Sequence, residues 1–176
     1  MSEVRSTFAP QRGSAKTLKY VLCHDDAMPP TRAHKYDTGF DVNLVKIVKE
    51  YPDIGVTLYS TGVKVQCPPG FYIDLVPRSS MSKTGYMLAN SVGIIDQNYT
   101  GEILAAIKKV NASEDVENKI QLPCKMVQLV PRQWHHMETE QVESIEDTSR
   151  GEEGFGSTNG PRMGSERLRE VLYGGK

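Results

Sequence analysis

The apolar stretches of this chain are short, and almost every one is closed by a glycine or a proline. That punctuation constrains the fold more than any other feature. "LKYVLCHD" (18–25) alternates weakly and reads as a strand, and "AMPPTRAHKYDTG" (27–39) reads as a proline-containing loop. "FDVNLVKIV" (40–48) reads as one strand. "GVTLYSTGVKVQCPPGFYIDLVP" (55–77) reads as successive strands with turns at Thr61-Gly62 and Pro69-Gly70. "SVGIIDQNYTGEILAAIKKV" (91–110) reads as a hairpin turning between Asp96 and Thr100. Its second arm has helical propensity, but a segment leaving that turn must return alongside "SVGII", so strand is preferred. "KIQLPCKMVQLVP" (119–131) is the last clear strand. Helical spacing appears only in "SERLREVLY" (165–173), through Leu168, Val171 and Leu172. Many short strands with Gly/Pro turns predict an all-β barrel or sandwich.

A chain of 176 residues holds one such domain with tails to spare. The expected division is a loose arm at 1–16, a β-domain at 17–134, an acidic linker at 135–149, a Gly-rich motif at 150–160 and an extension at 161–176. Lys and Arg number 21 against 22 Asp and Glu, so no global basic field points to direct nucleic-acid binding, although a local basic site stays open. No apolar run approaches the ~18 residues that span a bilayer, so no membrane role is expected. The segment "MSEVRSTFAPQRGSAK" has no apolar core of a secretory signal. It is weakly like a transit peptide in its Ser and Arg, but the amphipathic pattern is missing. Three well-separated cysteines without C-x-x-C fit reduced thiols in a cytoplasmic compartment, or a nuclear one in a eukaryote, or the host cytoplasm for a viral protein.

Some motifs mislead. "SSMSKTG" contains both S-x-x-K and K-T-G, two signatures of penicillin-binding enzymes, but they share Lys83. That chemistry needs the two motifs on separate converging elements, and S-D-N is absent. His135 and His136 with Glu138 and Glu140 lack a further ligand cluster at metal spacing, so a solvated edge is the better reading. His24-Asp25-Asp26 is read in the same way. No phosphate-binding G-x-x-x-x-G-K-[ST] loop occurs.

Five short segments combine turn glycines with charged or hydroxylated residues: "DTGFDVNL", "PRSSMSKTG", "NSVGIIDQNYTGEI", "MVQLVP" and "RGEEGFGSTNG". The last lies in a polar, acid-rich tail, where an Arg, an aromatic ring and a Ser-Thr pair among glycines would be out of place unless they cradled a phosphate. In order and spacing the five resemble the motifs of the trimeric dUTPase family, over roughly residues 20 to 160. The resemblance implies a jelly-roll-like β-barrel, a homotrimer with shared active sites, and a flexible C-terminal lid. It also implies Mg²⁺-dependent hydrolysis of dUTP to dUMP and pyrophosphate by water attack on the α-phosphorus. Such a reaction limits uracil incorporation into DNA and supplies dUMP for dTMP synthesis.

The resemblance further implies roles, residue by residue. Asn90 and the backbone around Gly93 and Ile95 would imitate a pairing edge for uracil, and Tyr99 would lie against the deoxyribose. Asp96 would accept from the 3′-OH and orient or deprotonate the attacking water. Arg78, Ser79 and, less centrally, Ser80 would donate to the triphosphate. Lys83 could be structural or a phosphate neighbour. Asp41 would act on the metal's water shell or brace Asp96, with Gly39 permitting close approach. Gln128 would lie near the phosphates or the water, and Lys125 stands close to the family's usual basic position. In the tail, Phe155 would stack on uracil, while Arg150, Ser157 and Thr158 would hold the γ-phosphate and Gly154 and Gly156 would let the backbone approach. The chain departs from the family pattern at Thr38, at Asn159 and at Glu152-Glu153, two acids expected to point away from a triphosphate.

Two other readings compete. A dCTP deaminase shares the barrel but carries an acidic catalytic residue where this chain has Ala106. It also favours Arg near Lys83 and Trp in place of Tyr99. A non-catalytic, nucleotide-gated binding protein could use "PRMGSERLREVLYGGK" to meet a regulatory partner. Asp96, Arg78 and Ser79 together argue for live chemistry.

Overall fold

The structure is a computed structural model that describes residues 16–110 and 120–151. Nine strands follow in order: β1 (Lys19–Leu22), β2 (Phe40–Leu44), β3 (Lys46–Tyr51), β4 (Val56–Gln66), β5 (Phe71–Pro77), β6 (Tyr86–Leu88), β7 (Gly93–Ile95), β8 (Glu102–Lys109) and β9 (Cys124–Gln133). Two short 3₁₀ turns, Pro52–Ile54 and Ser79–Lys83, join them, and the described residues contain no α-helix. All pairing is antiparallel, in two sheets. One runs β1-β4-β8-β6, with β3 also on β4; the other runs β2-β9-β5-β7. Two antiparallel sheets closing on one core make the jelly-roll-like architecture expected of the sequence.

The core forms because alternate residues of each strand point to one face. Ile103, Ala105 and Ile107 of β8 and Val127 and Leu129 of β9 are buried, with partly exposed residues between them. They join Val42, Leu44, Val63, Ile73, Leu75 and Leu88 in one apolar cluster drawn from both sheets. Each such side chain contributes about 1.5–3 kcal/mol through burial. Polar side chains taken inside are bonded: Thr61 Oγ1 donates to the Ile103 carbonyl at 2.8 Å, and Arg132 Nε donates to the buried Asp74 at 2.7 Å. Burial raises the Cys67 and Cys124 thiols above their ordinary value, and all three cysteines are free.

Three expectations need correction. The run 40–48 is two strands, because the chain leaves the β9 side at the buried Val45 and enters the other sheet, where Val45 N–H donates to the Ser60 carbonyl at 2.8 Å. Thr61-Gly62 is no turn: β4 runs through it, and its pairing with β8 slips between Ser60 and Lys64. Gly62 takes φ +66° there, a bulge geometry that glycine serves as readily as a turn. The arms of the 91–110 segment do not pair with each other. The chain does reverse, with Tyr99 N–H on the Asp96 carbonyl at 3.0 Å, but β7 pairs with β5 and β8 lies between β4 and β6. The 119–131 run is strand from Cys124, and the 165–173 segment lies outside the described residues. All nine strands belong to a compact unit ending at His136; a second unit begins at Met137, of which residues 137–151 are described. No helix among the described residues is long and apolar enough to cross a membrane.

Candidate active site

Strands β2, β9 and β5 run side by side and set up the first cleft. Asp41 stands opposite Gln128, and Gln128 stands opposite Val76. The neighbours Val42, Val127 and Leu129 face the core, so period-two alternation turns Asp41 and Gln128 to the other face. Arg78 follows the end of β5 in extended backbone, its N–H held by the Met126 carbonyl at 2.9 Å. Ser79 opens the 3₁₀ turn, which is anchored by Met81, only 2% exposed. The side chains then interlock. Arg78 Nε meets Asp41 Oδ1 at 2.8 Å, and Arg78 Nη1 donates to the Lys125 carbonyl at 3.3 Å. Gln128 Nε2 donates to the Pro77 carbonyl at 3.1 Å.

The loop before β2 closes the other wall. Thr31 and Asp41 exchange backbone hydrogen bonds of 3.2 and 2.7 Å. Arg32 stacks its guanidinium 3.8 Å from the Phe40 ring centre and donates to the Thr38 carbonyl at 3.2 Å. Gly39 is pressed against Gln128: a Cβ there would lie 2.8 Å from Gln128 Cδ. The result is a cleft of about 270 Å³ lined by Thr38, Gly39, Asp41, Arg78, Ser79 and Gln128, with Ala33 and Asp37 at the loop side. A guanidinium, a hydroxyl, an amide and a carboxylate on one wall suit a phosphate chain accompanied by a cation.

The second cleft, about 250 Å³, gathers Asn90, Gly93, Ile94, Ile95, Asp96, Tyr99 and Glu102 over Ile103 and Leu104. A tight turn presents Asn90: Ser91 has φ +60°, and Val92 N–H returns to the Asn90 carbonyl at 2.6 Å. Gly93 lets the chain pass close to Leu75, since a Cβ would stand a tight 3.2 Å from Leu75 Cβ, and it would stand at ordinary contact, 3.5 Å, from Asn90 Nδ2. Tyr99 folds back, its hydroxyl donating to the Glu102 carbonyl at 3.0 Å.

The expected residues therefore fall into two groups. Asp41, Arg78, Ser79 and Gln128 line one cleft; Asn90, Gly93, Ile95, Asp96 and Tyr99 line the other, and no residue lines both. Asp41 has Arg78 as its ion-pair partner. Ser80 is exposed and lines neither cleft. Arg150 belongs to the second unit, inside a turn in which Gly151 N–H meets the Thr148 carbonyl at 3.0 Å. Phe155, Gly156, Ser157 and Thr158 lie outside the described residues. Sequence reasoning missed Glu102 and the part of Lys125 that matters here, its backbone carbonyl. No group of three or more His, Cys, Asp or Glu side chains among the described residues could cage a metal.

Comparison with known proteins matches this geometry to a family. The dUTPase family model matches residues 25–159. The deoxyuridine 5'-triphosphate nucleotidohydrolase of Picosynechococcus sp. is 32% identical over 142 residues, covering 80% of this chain and 97% of the relative. A Staphylococcus bacteriophage 80alpha dUTPase solved with dUpNHpp is similar in structure, with a TM-score of 0.68 at 26% identity, over 81% of this chain and 98% of that one. A mutant dUTPase from phage phi11 of S. aureus, solved to show how a structural Mg(II) ion is coordinated, has a TM-score of 0.60 at 25% identity, over 74% and 99%. A match that runs through both clefts and on to the Gly-rich motif of the tail makes this chain a member of the dUTPase family.

Proposed function

We propose that this chain hydrolyses dUTP to dUMP and pyrophosphate, in sites that bring together the two clefts of different subunits of a homotrimer. The observation that carries the reading is the division of chemistry between the clefts. One offers cationic and hydroxyl donors suited to phosphates; the other offers an amide, a strand edge, a carboxylate and a tyrosine suited to a nucleoside. A nucleoside triphosphate needs both, and on one chain they share no lining residue. Pairing the clefts across subunits meets that need.

The base-reading wall has a physical basis. Among the described residues β7 is the last strand of its sheet, so one side of its backbone has no strand partner. Those groups, with the Asn90 amide, can present a donor–acceptor pattern to uracil. Cytosine would leave a group unpaired, a mismatch that hydrogen-bonding sites reject by roughly 10⁴–10⁵-fold. Tyr99 folded over Gly101 leaves no room for a 2′-hydroxyl. Asp96 accepts from the 3′-OH and takes the proton of the attacking water.

At the phosphate end, Asp41 aims the Arg78 fork, and Ser79 donates where charge develops on the leaving group. Gln128 positions the phosphates or the water. For the metal, the donor set decides. Asp41 is paired with Arg78 and no carboxylate cluster surrounds it among the described residues, which fits Mg²⁺ carried in by the triphosphate, which Asp41 would meet through water, and not a cage built by protein alone. When bound, Mg²⁺ supplies charge neutralisation across the phosphate oxygens. The family match runs to residue 159 and so supports the closing role of the tail motif: Phe155 on the base, and Arg150, Ser157 and Thr158 on the γ-phosphate with Gly156 permitting approach. Deamination is disfavoured, because Ala106 offers no carboxylate on β8.

Pyrophosphate release from dUTP, UTP, dCTP and dTTP with Mg²⁺ tests the reading. dUTP should exceed each of the others by orders of magnitude; comparable turnover of UTP would remove Tyr99 from its role, and ammonia release from dCTP would replace the assignment.

A further inference from the structure

We infer that Glu102 is a positioning residue that holds Tyr99 in place and thereby sets the preference for deoxyribose over ribose. The inference rests on the reading above that Tyr99 lies against the sugar. Tyr99 is 43% exposed, so packing alone does not fix its ring. Two local features do. Its hydroxyl donates to the Glu102 carbonyl at 3.0 Å. Its ring lies over Gly101, where a Cβ would stand 3.0 Å from Tyr99 Cε2 and closer still to the phenol tip. The ring is therefore only as well placed as the Glu102 backbone.

Glu102 is the first residue of β8, set opposite Lys64 and cut off by the register slip from the continuous β4 pairing that begins at Ser60 and Leu104. A strand end beside a bulge is a poor anchor by itself. Here the side chain supplies the anchor. Glu102 Oε1 accepts from the Gly62 N–H at 3.0 Å and from the Ser60 hydroxyl. Ser60 and Thr61 are fully buried, and Thr61 Oγ1 ties the same bulge to the Ile103 carbonyl at 2.8 Å. Gly62 is locked as well: at φ +66° a Cβ would meet Ala27 Cβ at 2.6 Å and His24 Cβ at 2.9 Å. The path is continuous, from the rigid bulge of β4 to the Glu102 carboxylate, through its carbonyl to the Tyr99 hydroxyl and ring. Loss of the carboxylate frees the strand end, and the Tyr99 ring drifts from the sugar. The Asn90 turn and β7, which read the base, are held by β5 and by the Leu88 carbonyl instead, so base selection should not follow.

The test is the kcat/KM ratio of UTP to dUTP, with the ratio of dCTP to dUTP as internal reference, on full-length Glu102→Ala, Glu102→Asp and Glu102→Gln. Glu102→Ala should raise the UTP/dUTP ratio by about 10- to 100-fold, the scale of a lost charged hydrogen bond and a displaced ring. Glu102→Asp, one methylene short, should move it in the same direction and serves if the alanine variant fails to fold. Glu102→Gln still presents an oxygen to Gly62 N–H and should keep the ratio near that of the unaltered protein. In all three the dCTP/dUTP ratio should stay put. An unchanged UTP/dUTP ratio in folded Glu102→Asp, or a parallel rise of both ratios, overturns the inference. Tyr99→Ala separates the two levels. If it relaxes sugar selection while the Glu102 variants do not, only this inference fails; if Tyr99→Ala itself leaves sugar selection intact, the sugar-facing role of Tyr99 fails with it.

Discussion

Gly39→Ala asks whether the first cleft works as a set of mutually positioned groups. Gly39 is buried and does not occupy the left-handed backbone region, so alanine there meets no backbone strain. The whole effect should come from one contact, since the new Cβ would lie 2.8 Å from Gln128 Cδ and 3.2 Å from Cγ. The obstacle is the end of a flexible side chain, so Gln128 moves and the backbone stays. Moving it breaks the 3.1 Å bond from Nε2 to the Pro77 carbonyl. That loss costs about 0.5–1.5 kcal/mol. An imperfect new rotamer adds about 0.5–1.5 kcal/mol. Stability should therefore fall by about 1–3 kcal/mol, leaving the protein folded. Activity should fall further, by about 10²-fold in kcat/KM, because a displacement of about 1 Å in a positioning group has that effect. The assay is pyrophosphate release, with urea midpoints read on the same samples. Gln128→Ala provides the control, because it removes every atom named in the contact. In that background Gly39→Ala should cost almost nothing more, a non-additivity that contact between the two residues requires. Full activity in Gly39→Ala, or equal damage with and without the Gln128 side chain, would refute the reasoning.

On the proposed role of Asp96, Asp96→Asn should keep binding of a non-hydrolysable dUTP analogue while kcat drops by roughly 10²–10⁴-fold, because size and the proposed 3′-OH contact would survive and the proposed general base would not. Calorimetric binding beside turnover checks this, and near-native turnover would mean another base. The Tyr59 phenol, 6% exposed, is raised above its ordinary 10.0 first by burial and then by the Tyr86 charge. The folded state thus binds this proton more tightly than the unfolded one, so the contribution is whole below pH 10.0 and is lost as pH rises through the folded value. Urea midpoints taken from about pH 9 upward should fall less steeply in Tyr59→Phe, and equal slopes would contradict the burial argument.

Strand positions were legible in the sequence because burial on one face imposes a period of two. β8 shows it: Ile103, Ala105 and Ile107 are buried, while Leu104 and Ala106 between them are half-buried. The same pattern says nothing about which strand is the neighbour. That is why "FDVNLVKIV" reads as one strand although it changes sheets at Val45: the apolar residues run on past the corner, while burial passes from the inward-facing 42–45 to the wholly exposed Lys46–Tyr51. It is also why "SVGII" and "EILAA" read as partners. A short reversal between two strands usually joins them, yet here β5 pairs with β7 and β4 with β8. Gly62 was ambiguous for a different reason: a positive φ needs glycine in a turn and in a bulge alike. The polar residues of both clefts were legible through the five motifs that resemble the dUTPase family, and most of them stand beside a turn glycine or a strand end, although Gln128 lies in mid-strand on β9. Glu102 also stands beside a glycine, Gly101, at the start of β8, but its position in the sequence does not tell what its carboxylate meets. Its use depends on the Gly62 N–H at the β4 bulge, forty residues earlier in the chain, which it shares with Ser60 Oγ, and only folding brings them together.

The arrangement of the second sheet explains how one small domain can serve both ends of a nucleotide without confusing them. β5 is the shared strut. On one side it pairs with β7 through Ile73, Asp74 and Leu75, which sets the edge proposed to read the base. On the other it pairs with β9 along its whole length and ends at Pro77, which delivers Arg78 and Ser79 opposite Asp41 and Gln128. Both clefts are thus referenced to one strand whose inward residues, Ile73 and Leu75, are 1% exposed and cannot shift independently of the core. Asp74 between them, itself buried, adds a cross-strand tie to Arg132 on β9. Side-chain changes within one cleft leave this strut in place, so base selection and phosphate handling should respond to substitution separately. Changes to β5 itself displace both references together and cannot be compensated from either cleft.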